Sequence, residues 1–268
     1  MCLQPPPQYV TLPPNVRPIY GRLAWLDELR LLAILVMVLD HTLLFFGQDF
    51  PGSGIIRLTL TRCAEPLFVF VLTYLAIYLR RPIRPFRWCQ ITVVSIGTSV
   101  ALSNHLGYAV ADVLVSIALA AVALPTLLKL SQKEVVMLLY ISGALACMPL
   151  QVAGIGFDYS PILLINQILL TITLSRRGMT NAAVHGALSG LTLLLTSLAL
   201  GRLGVAVNAS MIVVMFGHPL AALVVHAMRH QELHCSTPLT RLAQRPLTLY
   251  ATHVCLLAWG AHVLANAV

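Results

Sequence analysis

An arginine and an aspartate–histidine pair bracket an apolar run near the start of the chain: Leu26-Asp27-Glu28-Leu29-Arg30, then Leu31 to Leu39, then Asp40-His41. Arg30 and His41 stand eleven positions apart, about three turns of α-helix, which puts them roughly 16 Å apart along one face. A carboxylate beside an imidazole in an apolar segment is costly to desolvate unless paired, so such residues are read first as functional. The spacing describes a reaction path through a membrane, with a cation at one end and a proton-handling group deeper in. Further polar residues can converge on it: Arg62 and Glu65, His105, Asp112, and His253 within Leu249-Tyr250-Ala251-Thr252-His253. Each has a plainer role as well. Arg30 alone suits a snorkelling anchor, Arg62 and Glu65 are one turn apart and can pair with each other, and a carboxylate such as Asp112 favours a helix start.

The elements that must position these residues are membrane helices. The chain has 268 residues, 58% of them hydrophobic and 10% charged, with a mean hydropathy of +0.85, far from the balance of a soluble domain. After a proline-rich tail over residues 1–22, expected to be disordered, the first apolar run reaches the length of a span and has no small-residue cleavage site after it, so it reads as retained. Further spans are expected at about 63–79, 88–104, 109–128, 135–153, 160–174, 181–200, 205–228 and 246–266. The segments 88–104 and 160–174 are short for a straight crossing, and either re-enters or extends into its loop. The expected fold is therefore all-α, one polytopic transmembrane bundle of about nine spans over residues 23–268.

Charge supports that count. With the N-terminus inside, the inner loops collect Arg17, Arg22, Arg80, Arg81, Arg84, Arg87, Lys129, Lys133, Arg176, Arg177, Arg229, Arg241 and Arg245, and the outer loops only Arg57, Arg62 and Arg202. That asymmetry is what the positive-inside rule requires of a chain with its N-terminus in and its C-terminus out. It also accounts for the formal charge of +8 without a nucleic-acid partner. Arg30 then lies at the inner end of the first span and His41 towards the outer side, while His253 sits about two turns into the last span, near mid-membrane.

Other polar residues read as structural. His226, His230 and His234 with Cys235 share a helical face and have the residue types of a zinc or copper site, but at the end of a span they fit an interfacial basic stripe better. His185 and His218 are single residues in apolar helices, suited to bonding a neighbouring helix's carbonyl. The six cysteines are scattered without CxxC spacing, so neither a disulfide framework nor a metal site is expected.

The first-span pattern, an acidic residue shortly before arginine and then histidine, resembles the first-helix signature of integral-membrane acyltransferases. In detail, Met37-Val38-Leu39-Asp40-His41 followed by Thr61-Arg62-Cys63-Ala64-Glu65-Pro66-Leu67-Phe68 is similar to TraX-type pilin acetylases, which carry Met-x-x-Asp-His and then Gly-Arg-x-x-x-Pro-Leu-Phe; Thr61 stands where that pattern has glycine. Ala111-Asp112-Val113-Leu114 with Ile117-Ala118-Leu119 resembles the fourth-span signature of the related heparan-glucosaminide acetyltransferase group. Arg245-Pro246-Leu247-Thr248-Leu249-Tyr250-Ala251-Thr252-His253 resembles the closing Leu-x-x-Tyr-x-x-His of many members. The resemblance covers about a third of the chain in four blocks.

What it implies is an acyl-CoA-dependent acyltransferase of the inner membrane, moving an acetyl or other small acyl group from cytoplasmic acetyl-CoA to an amine or hydroxyl of an acceptor protein, glycan or lipid. No metal is implied. Arg30 with Arg80, Arg81, Arg84 and Arg87 would hold the donor's phosphates. His41 would act as general base or transient acyl carrier, oriented by Asp40 or, better, by Asp112 or Glu65 from another span, since helix neighbours point about 100° apart. Arg62 and Tyr250 would contact substrate, and Tyr250, Thr252 or His253 would supply oxyanion donors if the last span packs on the first. The same residues also fit a proton- or anion-conducting transporter, although no inverted repeat of the charged helix is visible, or a structural subunit of a conjugation or secretion apparatus.

Overall fold

The computed structural model describes residues 24–47, 50–59, 61, 64–79, 85–146, 151–152, 155–157, 160–203 and 245–267. These form mostly helix: α1 (Ala24–Phe46), α2 (Ser53–Thr59), α3 (Ala64–Leu79), α4 (Pro85–Leu106), α5 (Val113–Leu127), α6 (Gln132–Leu145), α7 (Pro161–Arg202) and α8 (Pro246–Ala267). The helix boundaries follow local chemistry. Proline opens α4, α7 and α8, where a missing N–H costs nothing, and Gly107, with φ 74°, follows the end of α4. The segment read as a short span at 88–104 extends at both ends into α4. The segment expected at 205–228, with His218, and the histidine stripe at 226–234 lie outside the described residues.

Three of these helices are long and apolar enough to cross a membrane: Leu26–Phe46, Pro161–Arg202 and Pro246–Leu264. The second is not one rod. A straight helix of 42 residues would be about 63 Å long, yet a Cβ on Gly186 would lie 3.2 Å from the Leu170 side chain and Asn166 bonds Ser189. Gly178, at φ 80° and ψ 177°, breaks the helix there, and the residues on either side fold back as two antiparallel limbs. They correspond to the two segments expected at 160–174 and 181–200.

Around the bundle α1 packs on α3 and α8, α3 on α7, α7 on α5, α5 on α4 and α4 on α8, which closes a ring; α6 lies outside it against α7. Met37, Val69, Val113, Leu164, Ile168, Tyr250 and Val254 belong to one buried core that joins α1, α3, α5, α7 and α8. Contacts of His41 with His253 and of Phe46 with the Cβ position of Gly260 advance in the same sense along both helices, so α1 and α8 run parallel.

One element departs from the expected all-α fold. A three-stranded sheet, in the order β1 (Val110–Ala111), β3 (Ile155–Phe157), β2 (Gln151–Val152), pairs β1 parallel and β2 antiparallel to β3. Strands this short carry no detectable alternation in sequence. Their effect is local and consequential: β1 ends one residue before Asp112, and Ser103 on α4 bonds both the N–H and the carbonyl of Val110. The carboxylate is thereby delivered to the bundle interior from a fixed backbone.

Candidate functional site

His41, on α1, and His253, on α8, meet in the bundle interior. Their rings stack with centroids 5.0 Å apart, and His41 Nδ1 lies 2.7 Å from His253 Nε2. His253 Nδ1 is in turn 3.0 Å from the carbonyl oxygen of Leu249, one turn back on its own helix. A carbonyl only accepts, so in the neutral pair Nδ1 of His253 carries the proton and its Nε2 is the acceptor. His41 then donates from Nδ1 and keeps its basic lone pair on Nε2. Two helices and one peptide carbonyl thus set the tautomer of a buried imidazole, which is 3% exposed; an imidazole in this tautomer has its proton-accepting lone pair on Nε2.

Tyr250 stands one turn before His253 and turns its ring edgewise to both imidazoles, 5.7 Å from His41 and 5.2 Å from His253. Its hydroxyl donates to Asp112 Oδ1. Asp112 also accepts from Thr98 Oγ1 at 2.5 Å and from the N–H of Val113 at 2.8 Å, while its own N–H donates to Ser99. It is fully buried and caps α5. One carboxylate therefore ties α4, α5 and α8 together at the point where α8 meets α1.

Several expected roles change with this geometry. Nδ1 of His41 finds an imidazole where a carboxylate from another span was expected, because Asp112 is engaged with Tyr250, Thr98 and Val113. A phenol has one proton, and Tyr250 places it on Asp112, so the residue walls the imidazoles and is not placed to donate to an oxyanion. Asp40, next to His41 in sequence, points elsewhere: it accepts from Thr61 Oγ1 and pairs with Arg57 Nε at 3.5 Å, fastening α2 and the turn at Thr61 onto α1. Glu65 is buried in the first turn of α3, a favourable end for a carboxylate. Thr252 is exposed.

At the other end of α1, Arg30 Nη1 pairs with Asp27 Oδ1 at 2.5 Å, one turn away on the same helix; Asp27 and Glu28 are both buried. Arg87 lies in the first turn of α4; Arg62, Arg80, Arg81 and Arg84 lie outside the described residues. His185 bonds the Tyr140 hydroxyl at 2.6 Å, not the backbone carbonyl expected of it. The residues whose roles sequence reasoning missed are Thr98, because a threonine in an apolar helix ordinarily bonds its own backbone, Thr61, which was noted only as replacing a glycine of the motif, and Arg57, which was read as a loop charge. No metal-binding group of three or more His, Cys, Asp or Glu occurs among the described residues.

No protein-family model, no curated protein and no solved structure matches this chain.

Proposed function

We propose that the chain is a membrane-embedded acyltransferase of the TraX-like kind, with about nine spans, its N-terminus inside and its C-terminus outside, in the inner membrane. The observation that carries the reading is the His41–His253 pair, a buried base whose tautomer is set and whose conjugate acid shares its charge with a second imidazole. The parallel course of α1 and α8 supports the topology, since first and last spans cross in the same direction only when the total is odd.

In this reading acetyl-CoA enters from the cytoplasmic side with its phosphates at the Arg30 end. The acceptor's hydroxyl or amine gives its proton to His41 Nε2 while its heteroatom attacks the thioester carbonyl. The C–S bond then breaks, and the CoA thiolate leaves and takes the proton back from His41. Asp112 holds Tyr250 against the imidazoles, and Asp40 with Arg57 holds the α1–α3 connection beside them.

The test is CoA release by purified full-length protein in nanodiscs given labelled acetyl-CoA and candidate amine and hydroxyl acceptors. His41→Ala is expected to lower His-dependent release by about a hundredfold or more, the scale of general-base catalysis. Arg30→Ala is expected to raise the KM for acetyl-CoA about tenfold, the scale of one charge-assisted contact. Absence of transfer and hydrolysis, with CoA affinity indifferent to Arg30→Ala, would remove the enzyme reading and leave a transporter or structural subunit.

A further inference from the structure

A cleft of about 890 Å³ opens between α4 and α8, at the end of the bundle where α1 also terminates, within the size range of small-molecule sites. Its lining changes character along both helices in the same direction. On α4, Gly97 and Ala101 lie farther from the helix end and Asn104 and His105 close to it; on α8, Ala258 and Ala261 precede His262. Buried Phe45 of α1 closes the inner wall, and the His105 ring rests against it with centroids 4.3 Å apart. From Gly97 to Asn104 is seven residues, roughly 10 Å of α-helix, against roughly 15 Å for the hydrocarbon of one leaflet. Val100, 54% exposed, and Leu264, 58% exposed, flank the space, so it is a lane open sideways to the surroundings of the bundle. No Asp, Glu, Lys or Arg lines it among the described residues; its polar end offers an amide and two imidazoles.

We infer that this lane holds one glycerophospholipid of the outer leaflet, with the upper part of an acyl chain between the small residues and the phosphodiester at Asn104, His105 and His262. The inference goes beyond acyl transfer. It rests on the topology proposed above, which puts the ends of α1, α4 and α8 at the outer face, and not on the reaction or on any passage to the histidine pair. The occupant is amphiphilic because apolar surface and hydrogen-bonding groups are segregated to opposite ends of one lane. A wholly polar ligand would leave the stretch from Gly97 to Ala258 uncovered, and a pure hydrocarbon would desolvate the amide and imidazoles without giving them a partner. Phosphate oxygens accept from amide and imidazole N–H groups, and a charged acceptor strengthens those bonds. At the other end Gly97, Ala101, Ala258 and Ala261 leave room between α4 and α8, where the methylenes of a chain supply the missing contacts.

The experiment is native mass spectrometry of delipidated full-length protein titrated with 1-palmitoyl-2-oleoyl-phosphatidylglycerol, with the diacylglycerol of the same chains, and with glycerol phosphate. One phospholipid is expected to bind at least tenfold more tightly than the diacylglycerol, the scale of one or two hydrogen bonds to a charged group, and glycerol phosphate more weakly than either. Asn104→Leu combined with His262→Leu is expected to reduce the phospholipid preference to below about threefold while chain binding persists. Ala258→Trp, which fills the lane, is expected to abolish the one-lipid species, and Ala101→Leu is the gentler version should the tryptophan prevent folding; Leu195→Trp, on the exposed face of α7, should leave that species intact. Equal affinity for phospholipid and diacylglycerol in the wild type, or a one-lipid species that survives both lane substitutions, overturns the inference. Glycerol phosphate bound as tightly as the lipid would assign the polar end to a soluble anion and overturn it equally. One-lipid binding without any His41-dependent CoA release would leave the lipid site standing and remove the reaction.

Discussion

Tyr140 meets His185 between α6 and the second limb of α7, its hydroxyl 2.6 Å from Nδ1; Tyr250 turns its ring edgewise to His41 and His253, and its hydroxyl goes to Asp112. Both contacts join a tyrosine to histidine inside apolar helices, yet their surroundings differ. Beside Tyr140, Asn166 Nδ2 lies 2.7 Å from the Leu139 carbonyl, 2.9 Å from Ser142 Oγ and 3.0 Å from Ser189 Oγ, and Ser189 also bonds the Leu139 carbonyl. Gly143 lets the helices approach so closely that a Cβ there would fall 2.8 Å from the Ser189 carbonyl. That network is made of amide and hydroxyl groups and fastens α6 to both limbs of α7. Around Tyr250 the phenol's proton goes to a carboxylate, which leaves the two imidazoles to bond each other. The two contacts therefore differ in what the phenol meets: an imidazole at Tyr140 and a carboxylate at Tyr250.

Substitutions can break or sharpen this contrast. The largest expected effect separates the histidines. His253→Ala removes the acceptor that sets the His41 tautomer and should lower CoA release about a hundredfold, whereas His185→Ala should leave it within about threefold; equal losses would erase the distinction. Next comes Asp112→Asn, which turns an amide towards a site built from three donors. It should cost about 1–3 kcal/mol in unfolding measurements and alter the pH profile of CoA release, because Tyr250 loses its anchor. Asn166→Ala should destabilise by a comparable or smaller amount, about 1–2 kcal/mol, with kcat/KM unchanged; a lost activity would place α6 and α7 in the site.

The smallest effect concerns the capping box at the start of α6, where Ser131 and Glu134 exchange hydrogen bonds with each other's backbone N–H groups. Ser131→Ala should cost about 0.5–1 kcal/mol, the usual scale for an exposed N-cap. The bonds from the Ser131 hydroxyl and backbone hold the Glu134 carboxyl below its ordinary value of 4.5. A depressed carboxylate stabilises the fold above its unfolded pKa, and that contribution fades as pH falls below about 4.5 towards the lower folded value. Thermal midpoints measured from pH 7 to pH 3 should show this small acid-side loss in the wild type and less of it in Ser131→Ala.

Much of the architecture is legible in the residues. The apolar runs correspond to α1, α3, α4, α5, α6, both limbs of α7, and α8, because hydrophobic length is a local property of sequence. The break at Gly178 is announced by Arg176-Arg177 between two apolar segments, and Arg176 does bond the Leu128 and Leu130 carbonyls at the end of α5. The miniature sheet was not legible, since two or three residues have no period to read. Nor was the partner of Asp40. Helix geometry turns the carboxylate away from its neighbour His41, as expected, but nothing local names Thr61 and Arg57 as the residues it meets.

Residue type and spacing alone put Arg30, Asp40, His41, Asp112, Tyr250 and His253 forward, because polar groups in apolar helices are expensive and so conspicuous. Which of them touch was decided only by the tertiary structure. Pairing across helices depends on how α1, α4, α5 and α8 rotate and slide against one another, and that is settled by packing of the whole core rather than by any one segment. His41 and His253 are 212 positions apart; the hydrogen bond between them exists only because α8 packs beside α1, while the carbonyl that sets its direction comes from α8 itself.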